Sequence, residues 1–140
     1  MNDFHFKHKD FLITEKEYKF YKLLMAILDD KYYIFPQIHL SHITKPSVKW
    51  TPNWGGWKAA FHHINQMSVD YVVCTKKGIR PKLAIELDDS SHNRADRIAR
   101  DEEVEAMLAE AELPLARFTD EEAQQADLVE ARLSDSLNLT

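Results

Sequence analysis

Residues 84 to 92 read A-I-E-L-D-D-S-S-H, placing three carboxylates, Glu86, Asp88 and Asp89, directly behind an apolar run that alternates as a half-buried strand does. Strands are poor hosts for clustered negative charge, because acids are depleted there and like charges facing each other repel. Alternation puts Leu83, Ile85 and Leu87 on one face and Ala84, Glu86 and Asp88 on the other. The preceding apolar run, V-D-Y-V-V-C at 69 to 74, carries one acid, Asp70. Between the two runs lies T-K-K-G-I-R-P, a lysine-rich turn with Gly78 at its middle, so a hairpin is the natural reading. A hairpin symmetric about Gly78 pairs residues whose numbers sum to about 156, which sets Asp70 opposite Glu86 and diagonal to Asp88, with directly opposed Cβ atoms about 4.5 to 5.5 Å apart. Three carboxylates converging on one patch must either take up a proton, which raises their pKa values, or hold a cation. A hard divalent ion, Mg²⁺ or Mn²⁺, suits such a patch because it keeps several waters and asks for few carboxylates. The alternative is a solvated edge on which each acid pairs with a lysine.

The residues that follow add a second kind of chemistry. Ser90, Ser91 and His92 lead into a helical stretch with Arg94, Asp96, Arg97, Arg100 and Asp101, in which Asp96 and Arg100, like Arg97 and Asp101, stand one turn apart and can pair. Beside a carboxylate patch such a helix offers phosphate contacts or a proton donor, or it is surface decoration. His92, with an ordinary pKa near 6.5, is a candidate general acid or base, weighed against a hydrogen-bonded structural histidine. Lys82 shares the strand face of Glu86 but lies about 13 Å away at strand rise, too far to help directly. His62 and His63 are adjacent and cannot share one helix face, so they are not a chelating pair; each contacts phosphate or faces solvent.

The net charge of -5 conceals an uneven distribution. Between Asp30 and Asp70 there is no acid, while Lys31, Lys45, Lys49 and Lys58 fall there with His39, His42, His62 and His63. From Asp101 onward there are twelve acids against two arginines, Arg117 and Arg132. A basic middle beside a carboxylate cluster suits a phosphate-bearing ligand. Trp50, Trp54 and Trp57 in that basic stretch are candidate stacking platforms for bases, or a packed aromatic cluster. The single cysteine, Cys74, lies within an apolar run and reads as packing; alone it excludes an internal disulfide and a Cys-rich zinc site. No apolar run approaches the roughly 20 residues of a membrane helix. The first ten residues lack a signal peptide's apolar stretch, so a cytoplasmic location away from membranes is expected.

The elements that must position these groups follow from periodicity. Thr14-Glu15-Lys16-Glu17 has the form of a capping box, and Phe20, Leu23, Leu24, Ile27 and Leu28 recur at helical spacing until Asp29 and Asp30 close the face. Lys31 to Leu40 predicts a strand that Pro36 confines to an edge or bulge. Residues 41 to 56 read as a loop, and 57 to 66 as a short helix. After the hairpin, 93 to 111 turn helical with Ile98, Val104, Met107, Leu108 and Ala111 as the apolar stripe. P-L-A-R-F at 114 to 118 predicts a last strand, and Thr119 with Glu122 a second capping box before a final helix lined by Ala123, Ala126, Val129 and Leu133. The order predicts an α/β or α+β fold around a mixed sheet, with residues 1–13 as a tail, 14–118 as the domain proper and 119–140 as an acidic C-terminal helix.

Asp70 in V-D-Y-V-V-C, Glu86 and Asp88 in I-E-L-D-D-S-S-H, and R-x-x-R-D at 97 to 101 together resemble domain-of-unknown-function family 2726. That pattern is similar to the PD-(D/E)XK nuclease superfamily, particularly the branch resembling very-short-patch repair endonucleases, in which an E-x-D strand is followed by a His. The resemblance implies a restriction-endonuclease-like α-β-β-β-α-β core with a C-terminal helix. It also implies a magnesium-dependent nuclease acting on DNA, with Asp70 and Glu86 as metal ligands and Asp88 in the slot usually held by a lysine. Glu17 matches a position where such enzymes often carry an additional acid. The missing lysine charge falls to Arg97, Arg100 or His92, with Asp101 in support. Lys45, Lys49, Trp50, Trp54, Trp57, Lys58 and His62 then become the nucleic-acid-binding residues. The alternative is a catalytically inactive module of the same fold that binds nucleic acid, or a protein partner through its acidic C-terminal region.

Overall fold

The computed structural model describes residues 3–46, 62–88 and 95–138. Helix α1 (Glu15–Leu28) opens on the expected capping box. The Thr14 amide donates to Glu17 Oε1 at 2.9 Å, and the Glu17 amide donates back to Thr14 Oγ1 at 3.1 Å. Two of the helix's orphan amide donors are thus satisfied locally, which leaves its apolar side, Phe20, Leu24 and Leu28, free to pack.

Four strands form one sheet in the order β1-β2-β3-β4: β1 (Tyr32–His39), β2 (Ser68–Thr75), β3 (Pro81–Asp88) and β4 (Leu115–Thr119). The first two pairings are antiparallel and β3 with β4 is parallel. A parallel neighbour requires a crossover, which helix α2 (Ala95–Glu110) supplies. Pro36 sits on β1, an edge strand, where its missing N–H costs no ladder bond on the open side. The β2–β3 register pairs Tyr71 with Ile85 and Val72 with Ala84, the sum that the hairpin reading anticipates, with one irregularity at Val73/Cys74. Gly78 (φ 81) turns the hairpin, helped by Thr75 Oγ1, which accepts from the Arg80 amide at 3.0 Å.

Two cores sandwich the sheet. On one face α1 and α3 (Ala126–Leu137) bury Phe20, Leu24, Tyr71, Ile85, Phe118 and Leu133. On the other, Val72, Cys74 and Ala84 pack with Val104 and Leu108 of α2 and with Leu40 and Ile64. The protein is therefore α+β with a mixed four-stranded sheet between helical layers.

Two expectations need correction. The apolar stripe of α2 is narrower than its periodicity suggests: Val104 and Leu108 are buried, but Ile98 is 51% exposed and Ala111 is exposed, because both fall beyond the strip of helix that covers the sheet. The second capping box forms, with Thr119 N to Glu122 Oε1 at 3.0 Å and Glu122 N to Thr119 Oγ1 at 3.2 Å, yet it opens only a 3₁₀ turn, Glu122–Gln124. Gln125 is extended (φ -104, ψ 91), so α3 starts afresh at Ala126, which is exposed and does not line the core.

Candidate functional site

The backbone ladder between β2 and β3 runs from Cys74↔Pro81 to Tyr71↔Ile85, and the next positions in that register are Asp70 and Glu86. Here the ladder changes character. The Leu87 amide donates to Asp70 Oδ2 at 2.7 Å, so a side chain takes a backbone acceptor's place. Asp70 therefore lies in the seam between the strands, where its carboxyl is hydrogen-bonded to that of Glu86.

Two carboxyl groups can hydrogen-bond only if one carries a proton. Burial is the first cause that pushes the Glu86 carboxyl up to about 9, and the neighbouring Asp70 charge is the second. Burial raises Asp70 as well, opposed by the Leu87 amide, which favours its ionised form. Burial and the neighbouring charge thus favour a protonated Glu86 carboxyl that donates to Asp70, which also accepts from the Leu87 amide. Asp88, on the same strand face, is also raised by burial, with Arg117 pulling the other way.

Among the described residues Arg117 is the cation at this site; in the sequence it stands out only as one of two arginines in the acidic end. It is the β4 partner of Glu86 in the parallel register. Its Nη1 donates to Asp88 Oδ1 at 3.0 Å and lies 3.8 Å from Asp101 Oδ2, its Nε donates to Glu105 Oε1 at 3.2 Å, and its Nη2 donates to the Asp101 carbonyl at 3.2 Å. The planar fork thus ties the end of β3 to α2. Nothing local announces this role, since it depends on which strand β4 joins and in what register.

Glu17 reaches the site from α1. Its Oε1 belongs to the capping box, its Oε2 accepts from Gln37 Nε2 at 2.6 Å, and its carbonyl accepts from the Tyr71 hydroxyl at 2.6 Å. Burial raises both Asp70 and Tyr71, and the Glu17 charge adds to it. Gln37 is bracketed by the pairs Pro36↔Tyr71 and Ile38↔Val69 and so stands opposite Asp70 in the register, with its side chain on Glu17; no sequence signal singles it out.

The remaining candidates divide. Asp101 is at the site through Arg117. Arg100 donates to the Gln66 carbonyl at 3.5 Å. Lys45 and His62 are exposed, and His63 pairs with Glu103. Cys74 is a buried free thiol among apolar neighbours, consistent with packing. Asp89, Ser90, Ser91, His92, Arg94, Lys49, Trp50, Trp54, Trp57 and Lys58 lie outside the described residues, as do the side chains of Asp96 and Arg97.

Among the described residues there is no ready group of three His, Cys, Asp or Glu side chains arranged to hold a metal ion. Asp70 and Glu86 converge, whereas Asp88 is engaged by Arg117. Oxygen donors alone, two of them sharing a proton that a divalent cation can displace, have the chemistry that Mg²⁺ or Mn²⁺ requires. No helix among the described residues is long and apolar enough to cross a membrane.

No curated protein and no solved structure matches the chain. A family profile does, over residues 2–137, which takes in every element that builds the site. The chain belongs to the family described as protein of unknown function DUF2726.

Proposed function

We propose that this protein is a metal-dependent nuclease that hydrolyses phosphodiester bonds of DNA, on a restriction-endonuclease-like core. The observation that carries the reading is the carboxyl pair Asp70–Glu86, hydrogen-bonded where the β2–β3 ladder opens. Keeping an acid protonated well above its ordinary range costs stability, and such costs concentrate at working sites. The order helix, three antiparallel strands, crossover helix, parallel strand agrees with that core.

Asp70 and Glu86 would hold Mg²⁺ or Mn²⁺, with Asp88 two residues further along β3. When bound, the cation lowers the pKa of a coordinated water and offsets the charge that develops at phosphorus. The protein's own groups do the rest. Asp70 is fixed by the Leu87 amide, so its carboxyl keeps one orientation. Arg117 stands by Asp88, the residue in the slot where the nucleases that the chain resembles use a lysine, and brings positive charge to that edge. The basic stretch from Lys45 to Lys58 would follow the DNA backbone.

The second reading is a catalytically inactive module that binds nucleic acid or a protein partner. One observation favours it: Arg117 is already clasped by Asp88, Asp101 and Glu105, which leaves it less charge to offer a substrate. Nicking of supercoiled plasmid in Mg²⁺ or Mn²⁺, lost in Glu86→Ala and Asp70→Ala, supports the nuclease. Metal binding with no cleavage of duplex DNA, single-stranded DNA or RNA supports the module.

A further inference from the structure

Four of the nine large apolar side chains exposed among the described residues lie in the arm ahead of α1: Phe4 at 71%, Phe6 at 88%, Phe11 at 80% and Leu12 at 74%. The fold does not call for them, since both cores close without the arm. A solvated tail is ordinarily poor in aromatics, because apolar surface gains nothing by standing in water. The same arm carries Lys7 and Lys9, which pair with no acid among the described residues, whereas Lys16 and Lys19 of α1 are matched to Asp120 and Glu15. Its two acids, Asp3 and Asp10, sit at bends, and between them Phe4 to Lys9 run F-H-F-K-H-K with no turn, bend or left-handed residue. At extended rise, residues two apart stand about 6.6 Å from each other, twice the roughly 3.4 Å step between stacked bases, so one base fits between the rings of Phe4 and Phe6. The family profile begins at residue 2, and the matched region therefore takes in the arm.

We infer that residues 4–9 form a nucleic-acid-binding arm that takes single-stranded DNA, Phe4 and Phe6 stacking on bases while Lys7 and Lys9 neutralise phosphates. Rings and cations share one short segment as bases and phosphates share one strand, and such a site needs no sequence code because every base presents a flat face. Duplex bases are already stacked on one another, so the rings gain their contact only where the strand is open. An anionic membrane surface would call for a helix with an apolar face, and the arm has no helix. The inference rests on the nucleic-acid part of the reading above and uses neither the metal nor the carboxyl pair.

The test is fluorescence anisotropy of labelled oligothymidylate, and of a duplex of the same length, with the full chain in chelator over a range of salt. Phe4→Ala/Phe6→Ala weakens oligothymidylate binding by about a hundredfold, at about tenfold for each stacked base, with the salt slope and duplex binding unchanged. Phe4→Leu/Phe6→Leu, apolar but unable to stack, loses as much, and Phe4→Tyr/Phe6→Tyr keeps the wild-type affinity. Lys7→Gln/Lys9→Gln lowers the slope of log K against log salt by about 1.4, at about 0.7 for each phosphate. Thermal melts of the four variants stay at the wild-type value, because the arm enters neither core. Oligothymidylate affinity unchanged in the alanine pair overturns the inference, as does a loss that the leucine pair does not share or that falls equally on the duplex. An alanine pair that keeps DNA binding but loses binding to anionic vesicles, or loses a dimer seen in sedimentation, overturns it too and assigns the arm to lipid or to a second copy. A wild type that nicks plasmid yet ignores oligothymidylate overturns the inference alone. One that binds oligothymidylate and cleaves nothing overturns the nuclease and leaves the inference standing, so the two failures are told apart.

Discussion

Glu86→Gln isolates the shared proton. In the folded protein Glu86 titrates at about 9, against an ordinary 4.5. Between those values the folded chain holds a proton that the unfolded chain has released, so stability falls as pH rises across this window and is greatest below it. At pH 7 the chain stands about 2.5 pH units into the window, and at 1.36 kcal/mol per unit wild type has lost roughly 3 kcal/mol. Glutamine carries no such proton, and its Nε2 can donate to Asp70 as the protonated carboxyl does. Glu86→Gln is therefore expected to be more stable than wild type by roughly 3 kcal/mol at pH 7, with the difference closing toward pH 4.5 and levelling off above pH 9. Urea unfolding followed by circular dichroism in chelator from pH 4.5 to 9.5 measures it. Unfolding free energies of the two proteins that run parallel over that range would refute the reasoning, because they would show that no proton is retained on Glu86. Addition of Mn²⁺ should then favour wild type alone, since the neutral variant lacks the ligand charge.

Mn²⁺ binding to wild type near pH 7.5 is expected to release about one proton, read as a dependence of calorimetric heat on buffer ionisation enthalpy, and to release none in Glu86→Gln. Arg117→Ala leaves Asp88, Asp101 and Glu105 without their common partner and should cost about 2 kcal/mol in urea unfolding, with Arg117→Lys restoring part of it because one ammonium cannot reproduce the fork. Glu122 is held down to about 2, first by its hydrogen bond from Arg132 and then by the Thr119 amide. Its contribution is present above pH 4.5 and lost as pH falls toward 2, so Glu122→Gln should flatten that acid limb in thermal melts and leave pH 7 to 9 unchanged in slope. Phe118→Ala empties a site where α1 and the sheet meet and should cost about 4 kcal/mol by the same unfolding assay.

Much of the framework was legible because it is local. Capping boxes at Thr14 and Thr119 depend on residues three apart, and both form. The hairpin register depends on a short turn whose chemistry is explicit around Gly78, and it holds from Tyr71↔Ile85 to Val73↔Leu83. Local signals also set the limits of the reading: Thr119 caps a helical turn whichever type follows, and an apolar spacing in α2 does not say how wide a face the sheet will cover.

What the chain by itself determined is the carboxyl pair's neighbourhood, since two strands joined by a tight turn have few registers and Asp70 must then meet Glu86. Tertiary structure alone decided what that neighbourhood means chemically. Arg117 reaches Asp88 through a parallel pairing set by a helical crossover, and Gln37 of the edge strand reaches Glu17 of α1. Partial burial at the end of the β2–β3 ladder then raises the acids. Desolvation and strand choice are properties of the assembled sheet, which no window of sequence contains.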